Sequence, residues 1–152
     1  MQKISVKHGK DGVLQKCATG ISGLDEITLG GLPKNRSTLV CGGAGTGKTV
    51  FGMEFLARGA TLYNEPGLLL AFEETQDELA QNMAALGFDV KKLMASHLIL
   101  LEHINIDRAD FEETGTYNLE GLFVRIGLFI DKYKIKRVML DTIEILFIVP
   151  VK

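Results

Sequence analysis

Residues 37–50 read STLVCGGAGTGKTV, and the architecture expected of the whole chain follows from them. The first part, Ser37–Gly43, is an apolar run that predicts a buried strand. It runs directly into Gly42–Thr49, which matches the phosphate-binding pattern G-x-x-x-x-G-K-[ST] in full. A helical pattern follows from Lys48. Strand, glycine loop and helix in this order predict a P-loop, the element that cradles the phosphates of a nucleotide.

Each part of this loop has an expected chemical role. The glycines let the backbone curl until successive N–H groups point toward an anion. The Lys48 ammonium is expected between the outer phosphates, and the Thr49 hydroxyl is expected to ligate Mg²⁺. The predicted nucleotide-binding residues are Gly43, Ala44, Gly45, Thr46, Gly47, Lys48 and Thr49.

Strands and helices alternate along the rest of the chain. Apolar runs predict strands at Gly67–Glu73, Leu98–Ile104 and Arg137–Ile143. Helices are predicted over Lys48–Ala60, from a capping box at Thr75–Glu78 to near Gly87, and from Leu119 onward. This alternation predicts an α/β fold with a mainly parallel sheet.

Several finer predictions concern burial and capping. Ser22 is expected to cap a short helical turn, and Cys41 is expected to be a small buried hydrophobe. The buried face of the first long helix is expected to carry Phe51, Phe55 and Leu56. That of the last helix is expected to carry Leu122, Phe123, Ile126, Ile130 and Tyr133.

Carboxylates follow two of the predicted strands. Asp141 comes at the end of an apolar strand, in the form of a Walker B segment, and is expected to hold Mg²⁺ through water. Glu73 and Glu74 end the second strand, where a parallel sheet presents its ligand-facing edge. One of them is expected to orient and deprotonate the attacking water, although both could merely favour the dipole of the following helix. The pair Glu112–Glu113 lies in a polar stretch and is interpreted as solvated.

Composition narrows the class of protein. The chain has 152 residues and a formal net charge of −2, so one domain with no surface suited to nucleic acid or an anionic membrane is expected. Two cysteines without zinc-site spacing indicate a reducing cytoplasm. Residues 1–16 are polar with four lysines and are expected to be a flexible leader.

Three segments resemble the KaiC family of RecA-like P-loop ATPases. They are the run CATGISGLDEITLGGLPK at residues 17–34, the GTGKT loop, and the FEET segment at residues 72–75. The resemblance covers roughly Val13 to Phe147, and the FEE segment is fairly specific to the family. Asn35 departs from the glycine usual after Pro-Lys.

The resemblance implies a three-layer RecA-like sandwich that binds ATP between the subunits of a ring, usually a hexamer. It implies ATP hydrolysis with Glu73 and Glu74 activating water, phosphate and Mg²⁺ binding at Lys48 and Thr49, and Asp141 as the Walker B carboxylate. In clock members it also implies autokinase activity on Ser and Thr.

Family chains continue past the Walker B strand, so residues 17–152 are expected to be the N-terminal part of a single ATPase domain. In RecA-like sheets one of the later strands lies between the P-loop strand and the Walker B strand. Without it, two strand edges would be unpaired, and the chain is expected to be marginally stable or to aggregate unless the strand of Asp141 moves in beside the P-loop strand.

Three functional hypotheses remain open at this level. The first is an ATPase module of KaiC type. The second is a nucleotide-dependent assembly module with negligible turnover, which phosphate release at saturating Mg-ATP would distinguish. The third, a RecA-type DNA recombinase, has little support from a pI near 5.9, and binding of single-stranded DNA at low salt would test it.

Overall fold

The computed structural model describes residues 14–104 and 119–144, with only the backbone of Leu119. The chain divides into two compact units, Met1–Lys48 and Thr49–Lys152. Most of the expected leader, the pair Glu112–Glu113 and residues 145–152 lie outside the described residues.

The first unit contains a short hairpin-like element around Asp25. Strand β1 (Lys16–Cys17) pairs antiparallel with β2 (Leu32–Pro33), and helix α1 (Leu24–Ile27) lies between them in the chain. The Asp25 carboxylate accepts hydrogen bonds from the Thr19 N–H at 2.8 Å, the Thr19 hydroxyl at 2.7 Å and the Gly20 N–H at 2.9 Å. The predicted cap at Ser22 is wrong, because Gly23 precedes α1 and no side chain caps it.

The predicted strand at Ser37–Gly43 is absent. Residues 37–43 have no regular secondary structure, and the side chains of Leu39 and Val40 are 72% and 43% exposed. Cys41 is exposed as well, which contradicts its predicted burial. Neither sheet in the described part of the chain gives this segment a neighbouring strand. An apolar run gains its ladder hydrogen bonds and its burial only from such a neighbour.

The second unit is built on a three-stranded parallel sheet. Its strands are β3 (Gly67–Ala71), β4 (Ile99–His103) and β5 (Arg137–Asp141), in the spatial order β4-β3-β5. The register pairs Ala71 with both His103 and Asp141, so the three carboxyl ends meet at one edge of the sheet. Every residue of the central strand β3 is buried. The predicted α/β class with a parallel sheet is confirmed.

Four helices complete the described layers: α2 (Lys48–Tyr63), α3 (Gln76–Ala85), α4 (Val90–Ala95) and α5 (Leu119–Tyr133). Within the second unit, α2, α3 and α4 pack on one face of the sheet around Met53, Leu56, Leu69, Met83 and Val90. Helix α5 covers the other face, through Leu122 against Leu68, Leu70 and Ile135. The unit is therefore a helix–sheet–helix sandwich.

Two of the finer helix predictions need correction. The buried face of α2 consists of Gly52, Met53, Leu56, Ala57, Gly59 and Ala60, whereas Phe51 and Phe55 are half-buried. The two glycines on that face leave room for the side chains of Met139 and Arg137, which a search for large apolar residues misses. On α5, Phe123 is 62% exposed and Ile130 is 37% exposed.

The capping box of α3 is confirmed, with the Thr75 hydroxyl and the Glu78 carboxylate each bonded to the other's backbone N–H.

Candidate functional site

The glycine loop of the first unit is held by hydrogen bonds among its own residues. Gly45 and Gly47 have φ angles of 75° and 86°, a backbone region that glycine adopts without strain. The Thr46 hydroxyl donates to the Gly43 carbonyl at 2.9 Å. The Lys48 ammonium donates to the carbonyls of Gly42 at 2.8 Å and Gly43 at 3.0 Å. These partners are neutral, so phosphate oxygens could replace them at the ammonium without breaking an ion pair.

The first turn of α2 contacts the end of β5 in the second unit. The Thr49 hydroxyl donates to Asp141 Oδ2 at 2.6 Å, and both residues are half-buried. Asp141 is the last residue of β5, which pairs directly with the central strand. Two residues singled out by the sequence, 92 positions apart, are thus brought together by the fold.

The paired glutamates follow β3 at the same edge of the sheet. Glu73 Oε1 accepts a hydrogen bond from the Thr142 hydroxyl at 3.2 Å, and Thr142 directly follows Asp141. Glu74 Oε2 accepts instead from the Asn82 amide on α3, at 3.1 Å. The two carboxylates are therefore held by different elements, with Glu73 tied to the end of β5 and Glu74 to α3.

Sequence reasoning missed the partners Thr142 and Asn82. Thr142 has a signal that could have found it, because a hydroxyl directly after the strand-ending Asp141 must lie at the same sheet edge. Asn82 lies eight residues after Glu74, and no pattern in the sequence connects the two.

The oxygen groups at this edge fit a hard divalent cation. Within residues 14–104 and 119–144, no three His, Cys, Asp or Glu side chains are grouped so as to hold a metal by themselves. A P-loop site does not need such a group, since Mg²⁺ there takes a hydroxyl, water and the oxygens of the nucleotide. The adjoining Thr49 hydroxyl and Asp141 carboxylate would supply the protein's share of that donor set.

A parallel α/β sheet, a complete G-x-x-x-x-G-K-T loop before a helix, and a carboxylate at the end of a neighbouring strand define a RecA-like P-loop protein. A family model described as "ATPase: KaiC" matches residues 17–149. The chain belongs to the KaiC family.

Named relatives agree with this assignment. The chain is 55% identical over 134 residues to the circadian clock protein KaiC2 of Synechocystis sp. (strain ATCC 27184 / PCC 6803 / Kazusa). The matched region covers 88% of this chain and 24% of that protein. It is 38% identical over 147 residues to the circadian clock oscillator protein KaiC of Prochlorococcus marinus (strain MIT 9313), covering 97% of this chain and 30% of that protein. The chain thus spans a quarter to a third of the length of these relatives. No helix among residues 14–104 and 119–144 is long and apolar enough to span a lipid bilayer.

Proposed function

We propose that this chain binds ATP with Mg²⁺ through Gly43–Thr49 and that, as part of a complete domain, it hydrolyses the bound ATP. The observation that carries this proposal is the 2.6 Å hydrogen bond between Thr49 and Asp141. It sets the hydroxyl that follows the P-loop lysine beside the carboxylate that ends β5. A glycine turn that merely connected two elements would need no such pairing.

Phosphate binding in this proposal rests on the loop and on Lys48. The inward backbone N–H groups of the loop and the amino-terminal end of α2 attract negative charge. The Lys48 ammonium exchanges its two carbonyl partners for oxygens of the outer phosphates. Thr49 would ligate Mg²⁺ directly, and Asp141 would hold it through water. When bound, Mg²⁺ neutralises charge that builds up on the phosphates during transfer.

Hydrolysis in this proposal depends on Glu73 and Glu74. A carboxylate can orient water and accept its proton as the oxygen attacks the terminal phosphorus. Glu73 is held by Thr142, next to Asp141, so it lies at the edge of the sheet that would also carry the metal. Glu74 accepts from Asn82 through Oε2, and because a carboxylate has two oxygens it could keep that bond while acting on water. The selection of ATP over GTP is carried over from the family.

The assembly and biological role are proposed from the family and its named relatives. Residues 17–152 would form the N-terminal part of one ATPase domain, and complete domains would assemble as a homo-oligomeric ring, most simply a hexamer with ATP between subunits. Two relatives are named as circadian clock proteins. That likeness supports a clock or signalling role for the complete protein, and autophosphorylation on Ser or Thr is carried over from the family.

One observation favours a second candidate, a nucleotide-dependent assembly module without turnover. Helix α5 presents apolar side chains on both sides, and Phe123, Val124 and Leu128 are 62%, 65% and 66% exposed. A cluster of exposed apolar side chains commonly marks a surface that another protein covers. Binding of ATP could then serve to stabilise a surface for other parts of an assembly.

Calorimetric titration tests the ATP binding on which both proposals depend. ATP is titrated into the parent chain and into Lys48→Ala, each with Mg²⁺ and with EDTA. The proposal predicts saturable binding by the parent that Mg²⁺ strengthens and that Lys48→Ala loses. Equal heats from parent and variant would overturn it. Phosphate release at saturating Mg-ATP then decides between the ATPase and an assembly module without turnover.

A further inference from the structure

Two side chains of β5 lie directly against glycines of helix α2. A Cβ added to Gly52 would come within 2.1 Å of Met139 Sδ, and one added to Gly59 within 2.4 Å of Arg137 Nε. Real Cβ atoms essentially never come closer than 3.0 Å to other heavy atoms. Two glycines, two turns apart on one face of α2, therefore create the room in which β5 side chains cross the helix.

Arg137, the first residue of β5, fixes the far end of this contact. Its side chain is only 1% exposed, although it carries a full charge. Nε and Nη2 lie 2.8 and 2.6 Å from Glu65 Oε2, and Nη1 donates to the Phe55 carbonyl at 2.9 Å. The guanidinium also lies over the rings of Phe55 and Tyr63, at 4.5 and 5.2 Å. One arginine thus joins β5 to α2 and to the turn that follows it.

The contact at the near end of α2 is the bond between Thr49 and Asp141. Asp141 follows Arg137 by four positions along the strand, which is about 13 Å at about 3.3 Å per residue. Gly59 follows Thr49 by ten positions along the helix, which is about 15 Å at about 1.5 Å per residue. The two spans match. A slip of α2 by one residue would shift it by about 1.5 Å and turn it by about 100°, enough to break the Thr49–Asp141 bond.

We infer that Arg137 is a positioning residue for the Mg²⁺ end of the site: by fixing the register of α2 against β5, it sets the Thr49 hydroxyl beside the Asp141 carboxylate. This inference rests on the proposed function. Arg137 would not touch the nucleotide, because it lies at the opposite end of β5 from Asp141. Its effect should fall on the strengthening of ATP binding by Mg²⁺ and spare binding without metal.

The test measures the ratio of the ATP dissociation constant in EDTA to that in Mg²⁺. Arg137→Met keeps the length of the side chain and removes the charge and the hydrogen bonds. In this variant the ratio should fall by roughly tenfold or more. Removing groups that orient metal ligands typically has an effect of about 10–100-fold. Affinity in EDTA should stay near that of the parent. Glu65→Gln should lose part of the ratio, and Arg137→Lys, which keeps the charge, should recover part of it.

Leu122→Ala is the matched control, since it weakens the core on the opposite face of the sheet. It should lower the unfolding temperature and leave the ratio intact. A folded Arg137→Met with the parent's ratio, or an equal loss in Leu122→Ala, would overturn the inference. If Arg137→Met lacks a cooperative unfolding transition, Glu65→Gln decides by the same ratio. A parent that binds no better than Lys48→Ala would instead overturn the proposed function, and the inference with it.

A second readout needs no nucleotide. In the ligand-free chain, Arg137→Met should shift the NMR signal of the Thr49 amide, although Thr49 lies at the other end of the contact between α2 and β5. Asp141→Asn should shift the same signal. Leu122→Ala should leave that signal in place. A Thr49 amide signal unmoved by Arg137→Met would contradict the inference even if binding changed.

Discussion

Thr49 Oγ1 lies 2.6 Å from Asp141 Oδ2, so the first turn of α2 donates a hydrogen bond to the last residue of β5. Both residues are half-buried, and a hydrogen bond to a charged group contributes about 1.5–3 kcal/mol in such settings. The hydrogen bond joins two residues, 92 positions apart in the chain, that we propose to hold Mg²⁺. Several consequences can be measured.

Removing the Thr49 hydroxyl should remove the increase in ATP affinity that Mg²⁺ provides. Thr49→Val keeps the shape of the side chain and leaves Asp141 without its donor. ATP affinity in Mg²⁺ should fall by about 10–100-fold, while affinity in EDTA changes little. Thr49→Ser keeps the hydroxyl and serves as the control. Calorimetric titration measures both, and a Thr49→Val variant with the parent's response to Mg²⁺ would contradict the assignment.

Neutralising the paired glutamates should separate binding from hydrolysis. Glu73→Gln and Glu74→Gln keep the size and hydrogen-bonding capacity of the side chains but cannot accept a proton at pH 7. In the complete domain, phosphate release should fall by about 10²–10⁴-fold in the variant that loses the general base, with ATP affinity close to that of the parent. Glu120→Gln, an exposed change on α5, is the control. Turnover unchanged in both glutamine variants would exclude a catalytic role for the pair.

The capping box of α3 should make stability depend on pH. The Thr75 backbone N–H and then its hydroxyl bond the Glu78 carboxylate and lower the pKa of Glu78 below its ordinary value of 4.5. Because the pKa is lowered by folding, this contribution is present in full above pH 4.5 and is lost as pH falls through the lowered value. The free energy of unfolding, measured in urea, should therefore fall more steeply below pH 4.5 in the parent than in Glu78→Gln. Parallel curves for the two proteins would be the wrong outcome.

Truncating a buried leucine of the central strand should cost more stability than truncating an exposed leucine of α5. Leu69, in the middle of β3, is 0% exposed, whereas Leu128 on α5 is 66% exposed. Leu69→Ala should destabilise the chain by about 2–5 kcal/mol, and Leu128→Ala should change stability by about 0.5 kcal/mol or less. Chemical unfolding measures both. A large loss in Leu128→Ala would show that its face is covered in solution.

The sequence was informative where one residue pattern implies one local geometry. The capping box at Thr75 and Glu78 and the buried run of β3 both formed as predicted. The alignment of the ends of β3, β4 and β5 also follows from local patterns, because parallel strands place their carboxyl ends at one edge.

Predictions failed where burial depends on a neighbour. The run Leu39–Cys41 is apolar enough for a strand, but no strand pairs with it in the described sheets, and it is exposed. Phe123 fits the apolar spacing of α5, yet the buried side of that helix centres on Leu122. Arg137 was missed for the opposite reason: a charged residue at a strand start predicts exposure, and its burial depends on Glu65 and Phe55, far away in the chain.

The central claim is that the P-loop of this chain binds Mg-ATP, and thermal unfolding with and without Mg-ATP tests it most directly. ATP at about a hundred times its dissociation constant should add about 2.7 kcal/mol to the free energy of unfolding. The account predicts a cooperative transition that Mg-ATP raises in the parent and does not raise in Lys48→Ala. A parent transition that Mg-ATP leaves unmoved, or one that it raises equally in Lys48→Ala, would contradict it.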